Sequence, residues 1–83
     1  MGKITEMDIY IGEKIREYRI LKGLTQEELA PYLGVTFQQL QKYEKSTNRI
    51  TASKLYIIAE VLEIPIESFL PQILSKESLL KHA

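Results

Sequence analysis

The 83-residue sequence predicts an all-α domain built from five short helices. Three observations carry that prediction. Threonines open the main helical stretches and glycines or proline-containing breaks close them. Apolar residues inside those stretches recur at i, i+3, i+4 and i+7, and no segment shows the alternation of a half-buried strand.

Thr5-Glu6-Met7-Asp8 is suited to cap a first helix, whose Ile11, Ile15 and Tyr18 share one face and which ends at Gly23. Thr25-Gln26-Glu27-Glu28 reads as a capping box, the Thr hydroxyl accepting from the N–H three residues on while Glu28 reaches back. It opens a short helix that stops at Gly34. Thr36-Phe37-Gln38-Gln39 is a second such box only eleven residues later, so a tight turn through Gly34-Val35 must join two helices of about two turns each. The third helix runs to about Lys45, and Ser46-Thr47-Asn48-Arg49-Ile50 has loop composition. Thr51 caps a fourth helix whose Leu55, Ile58, Ala59 and Leu62 form a core face. Ile64-Pro65-Ile66 interrupts it, and Glu67 to Leu70 reads as a brief fifth helix before Pro71. Gln72 to Ala83 is a tail with room for one or two further helical turns.

Composition bounds the function. The chain, 45% hydrophobic and 27% charged, is long enough for one domain, residues 1–83, with a thin core that buries about 60% of its unfolded surface. With no cysteine and a single histidine, His82, there is no material for disulfides, a thiolate metal site or a His-based catalytic constellation, and no glycine-rich phosphate loop is present. The expectation is a protein with no catalytic activity, no cofactor, no metal and no small-molecule substrate. Apolar runs fall far short of the roughly 18–20 residues of a membrane span, and the N-terminus lacks a signal peptide's apolar region, so a cytoplasmic location is expected.

The discriminating segment is Gln26 to Tyr43. Ala30 stands where a crossing helix needs a small side chain, Gly34 suits a turn of positive φ, and Leu40 is placed to pack back on Leu29 and Leu33. Gly23-Leu24-Thr25-Gln26-Glu27-Glu28-Leu29-Ala30, Leu33-Gly34-Val35-Thr36, Gln38-Gln39-Leu40-Gln41-Lys42-Tyr43-Glu44 and Asn48-Arg49-Ile50 resemble the phage repressor and Cro type of helix-turn-helix domain, the lambda-repressor-like, xenobiotic-response-element family. The resemblance covers residues 9–70, with the helix-turn-helix itself at 25–45. It implies a five-helix domain that binds operator DNA, usually as a symmetric dimer, and regulates transcription.

In that docking mode the second helix of the motif, 37–45, enters the major groove. Its outward stripe is Phe37, Gln38, Gln41 and Lys42, with Leu40 and Tyr43 on the inner side. Gln38 suits a bidentate pair with adenine, Lys42 a donation to guanine, and Phe37 contact with a thymine methyl. An ordinary solvated helix face is the alternative for Gln38 and Lys42. Gln26, Gln39, Tyr43, Lys45, Asn48 and Arg49 are the candidate phosphate contacts, those of the loop being equally suited to solvation and turn hydrogen bonds. The resemblance further implies a structural ion pair between Arg19 and Glu44, whose alternative is two unrelated surface charges.

Charge placement favours a polarised molecule despite zero net charge: Lys42, Lys45, Arg49 and Lys54 face one acid, Glu44, in the stretch 38–54, whereas Glu60, Glu63 and Glu67 have no base among them in 55–70. Two departures from the family stand out. Pro31 falls inside the first helix of the motif, where a shortened or kinked helix is expected, and Lys45-Ser46-Thr47 lacks the glycine often found after the recognition helix. Phe69, Leu70, Ile73, Leu74, Leu79 and Leu80 make the C-terminal segment apolar enough to contact a second copy, so the tail 71–83 is the expected homodimer contact, with half-sites about one helical turn (~34 Å) apart. A protein-interaction module on the same scaffold, such as an antitoxin or adaptor without specific DNA binding, is the alternative function.

Overall fold

Thr5, Thr25, Thr36 and Thr51 each stand in extended backbone and accept, through the side-chain hydroxyl, the N–H three residues on. In the computed structural model, which describes residues 3–72, these four caps open α1 (Glu6–Leu21), α2 (Gln26–Leu29), α3 (Phe37–Glu44) and α4 (Ala52–Leu62). At α1 and α2 the box closes: Asp8 and Glu28 accept from the Thr5 and Thr25 N–H at 2.7 and 2.8 Å. At α3 only half of the expected box forms. Thr36 accepts from the Gln39 N–H at 3.1 Å, and the Gln39 side chain returns no bond.

The helices end alike as well. Gly23, Gly34, Ser46 and Glu63 all take positive φ, 74°, 67°, 60° and 56°. After each, the next N–H turns back to a carbonyl five residues earlier: Leu24 to Arg19, Val35 to Ala30, Thr47 to Lys42 and Ile64 to Ala59. This is the Schellman closure, which normally uses glycine at the left-handed position. The turn after α3 therefore has the shape a glycine would give, made by Ser46, whose hydroxyl donates to the Asp8 carbonyl at 3.2 Å.

Pro31 has a clear effect. Lacking an N–H to return to Glu27, it ends α2 at Leu29, and the chain continues as a 3-10 turn, Ala30–Leu33, with Pro31 near its start. The segment Glu67 to Leu70, expected as a fifth helix, is likewise a 3-10 turn and lies one residue earlier (Ile66–Phe69), so the all-α fold consists of four α-helices and two 3-10 turns among the described residues.

The core gathers Ile15, Leu29, Leu40, Ile58, Leu62 and Phe69, each at most 1% exposed, with Ala30, Leu33, Tyr43, Leu55 and Ala59 around them. All four predicted core residues of α4 are in it. Phe69, grouped at first with the apolar tail, is part of this core: it meets the Tyr18 ring edge-on with centroids 5.0 Å apart, while the Tyr18 hydroxyl donates to the Ser68 carbonyl. The expected dimer contact beyond Gln72 lies outside the described residues. No helix among the described residues is long and apolar enough to cross a membrane.

Candidate nucleic-acid interface

α3 is held to the scaffold by its inner face and offers the other. Leu40, Tyr43 and Glu44 are buried, and Leu40 lies in the same cluster as Leu29 and Leu33 of the preceding turn. Phe37, Gln38 and Lys42 are exposed, and Gln41 is half-buried. The four residues of the outward stripe thus differ: three stand clear at the helix surface, and Gln41 sits lower, in the groove that separates α3 from α1. Lys45 and Asn48 are exposed and Gln39 half-buried. Tyr43 is only 9% exposed, so its ring serves the core first.

Arg19 of α1 reaches across to Glu44 of α3. Its Nε donates to one carboxylate oxygen at 2.6 Å and its Nη2 to the other at 3.0 Å, and Nη1 donates to the Leu24 carbonyl at 2.8 Å. Both side chains are nearly dry, 10% and 1% exposed. The planar guanidinium fork is what permits two parallel bonds and a third to the backbone. Gln26 completes the cluster, donating its amide to Glu44 at 3.0 Å. The Gln26 side chain, expected at a phosphate, is half-buried and gives its amide to Glu44 while still lining an open groove.

Arg49, exposed at the surface, also bonds within its own chain. It donates to Asp8 at 3.1 Å and to the Lys3 carbonyl, tying the loop after α3 to the start of α1. The Thr5 backbone N–H, with the Thr5 hydroxyl and Arg49, holds the Asp8 carboxyl below its ordinary value against a smaller opposing effect of burial. The Arg49–Asp8 pair is exposed and therefore weak, so the Arg49 guanidinium stays within reach of a phosphate.

Gly12 makes this arrangement possible. A Cβ at Gly12 would stand 2.6 Å from the Tyr43 carbonyl, 2.9 Å from that of Glu44 and 2.7 Å from the Ser46 hydroxyl, so α1 crosses the end of α3 with backbone nearly on backbone. Sequence reasoning passed over this residue, although a glycine inside a helical stretch is itself a signal.

Beside the Arg19–Glu44 cluster runs an open groove lined by Arg16, Arg19, Thr25, Gln26, Gln41 and Lys45 among others. On another part of the molecule, Glu60, Glu63 and Glu67 line a second groove between α4 and the closing 3-10 turn. Of the four bases counted in 38–54, Lys45 alone lines the first groove, whose other cations, Arg16 and Arg19, come from α1, whereas the three acids of 55–70 share the second. Among the described residues no cluster of acids and histidines could hold a metal ion.

Residues 15–69 match the helix-turn-helix family. An uncharacterized transcriptional regulator of that type from Sinorhizobium medicae (strain WSM419) is 48% identical over 67 residues, which are 81% of this chain and 48% of that protein. The chain thus spans about half the length of the first curated relatives it matches. Control protein C.SmaI from Serratia marcescens is 31% identical over 75 residues, 88% of this chain and 84% of that one. The crystal structure of the restriction-modification controller protein C.AhdI from Aeromonas hydrophila superposes with a TM-score of 0.69 at 26% identity, over 75% of this chain and 94% of its own.

Proposed function

The chain belongs to the helix-turn-helix family of the xenobiotic-response-element type, and from that membership we propose that it is a sequence-specific regulator of transcription that binds duplex DNA with α3 in the major groove. One observation carries the reading: α3 is anchored from behind by a doubly bonded, buried Arg19–Glu44 pair, while Phe37, Gln38 and Lys42 project from its free face. A helix pinned in this way delivers short side chains to base edges without first having to be ordered. Gln38 and Lys42 read bases, Phe37 touches a thymine methyl, and Gln41, Gln39, Lys45 and Asn48 approach the backbone.

The regulator works in the cytoplasm as a homodimer with no reaction of its own. Met7 and Leu70, 46% and 38% exposed, line a shallow groove with Pro71, the kind of apolar surface that a second copy would cover. Two-fold symmetry then calls for a palindromic site. Selection from a random duplex library by the purified protein, followed by sequencing, tests the reading. Enrichment of a palindrome supports it; binding that is salt-sensitive but indifferent to sequence overturns it.

A further inference from the structure

We infer that the groove between α1 and α3 seats a phosphate of the DNA backbone, and that Arg16, a residue of α1 outside the helix-turn-helix, is its principal cation, with Lys45 opposite. The inference rests on the DNA-binding reading and adds a contact to it. The groove's lining includes three cations, Arg16, Arg19 and Lys45, and no carboxylate. One cation is already neutralised: Glu44, buried beneath, spends both oxygens on Arg19 and Gln26. Arg16 and Lys45 have no ion-pair partner among the described residues, since the one paired cation on α1 besides Arg19 is Lys14, bridged to Glu17 at 3.5 Å.

Two uncompensated charges thus line a cleft that also includes Gln41, whose side-chain amide is a donor suited to phosphate oxygens. Arg16 lies one helical turn before Arg19 and so shares its side of α1, which sets it beside the reading helix. Arg49 pairs with Asp8 and does not line this groove.

Duplex binding measured as a function of salt tests this, because each phosphate neutralised contributes about 0.9 to the slope of log K against log salt. A random-sequence duplex of fixed composition suffices as the probe. Arg16→Gln is expected to reduce the slope by up to about 0.9, Arg16→Lys to restore it, and Arg16→Gln with Lys45→Gln to reduce it by no more than about 0.9 in all, because both cations serve the same phosphate. Lys14→Gln removes the same charge from the other side of α1 and should leave the slope unchanged. Wild-type binding with equal slopes for Arg16→Gln and Lys14→Gln overturns the phosphate seat while leaving the DNA-binding reading in place. No duplex binding by the wild type at low salt overturns both.

Discussion

The Arg19 guanidinium grips both carboxylate oxygens of Glu44, joining the last turn of α1 to the last turn of α3. Neither charge is accessible enough to be satisfied by water if the other is lost. Glu44→Gln leaves a nearly dry guanidinium without its counter-charge and should cost about 3 kcal/mol, far above the value of an exposed pair. Urea unfolding of the variant measures it. A loss within about 1 kcal/mol would mean that the pair is screened and does not hold α3.

Gly12→Ala sets two effects against each other. Alanine gains about 1 kcal/mol of helix propensity over glycine. Its methyl, however, would meet two backbone carbonyls and a hydroxyl below 3.0 Å, and overpacking costs about 1–3 kcal/mol even where side chains can yield. Backbone yields less, so the crossing must open. The expected result is a lower melting temperature and weaker DNA binding together, because the end of α3 moves. Unchanged stability would contradict the close approach.

Glu63 and Ser46 occupy equivalent left-handed positions with different local support. Glu63 is exposed and held there only by the turn, so Glu63→Gly relieves a strain of about 1–2 kcal/mol at a smaller entropic cost and should raise stability by about 0.5–1 kcal/mol. Ser46→Gly gains the same relief but loses the hydroxyl's bond to Asp8, so little or no net gain is expected. Thermal unfolding of the two variants distinguishes them; an equal gain in both would show that the Ser46 bond contributes nothing.

Asp8 gives the fold a mild acid dependence. Its folded pKa lies below the ordinary value of 3.8, chiefly through the Thr5 N–H. Such a group stabilises the native state fully above that ordinary value, and the contribution is lost as pH falls through the folded one. Asp8→Asn should therefore lose up to about 1 kcal/mol at neutral pH and match the wild type once pH is below the carboxylate range. A difference that persists there would assign the effect to something other than the charge.

Local signals in the sequence located the helices well, because the fold punctuates them locally. Four threonine caps are visible in four short motifs, and two of the four left-handed closures carry the glycine that advertises them. The closures at Ser46 and Glu63 were not legible, since neither residue prefers the conformation and only the backbone bonds around them enforce it. The same limit applies to the interface. The outward stripe of α3 follows from helical periodicity, but the bonds that Gln26 and Arg49 make within the chain depend on partners 18 and 41 residues away, and no local pattern reveals which partner a polar side chain takes.

Base reading by α3 is tested by titrating the selected palindrome, and a version scrambled at single base pairs, with wild type, Gln38→Ala and Lys42→Ala at fixed salt. Each substitution should cost about 1–3 kcal/mol on the palindrome and erase the preference at one base position in each half-site. If the variants bind both duplexes as the wild type does, α3 does not read the sequence.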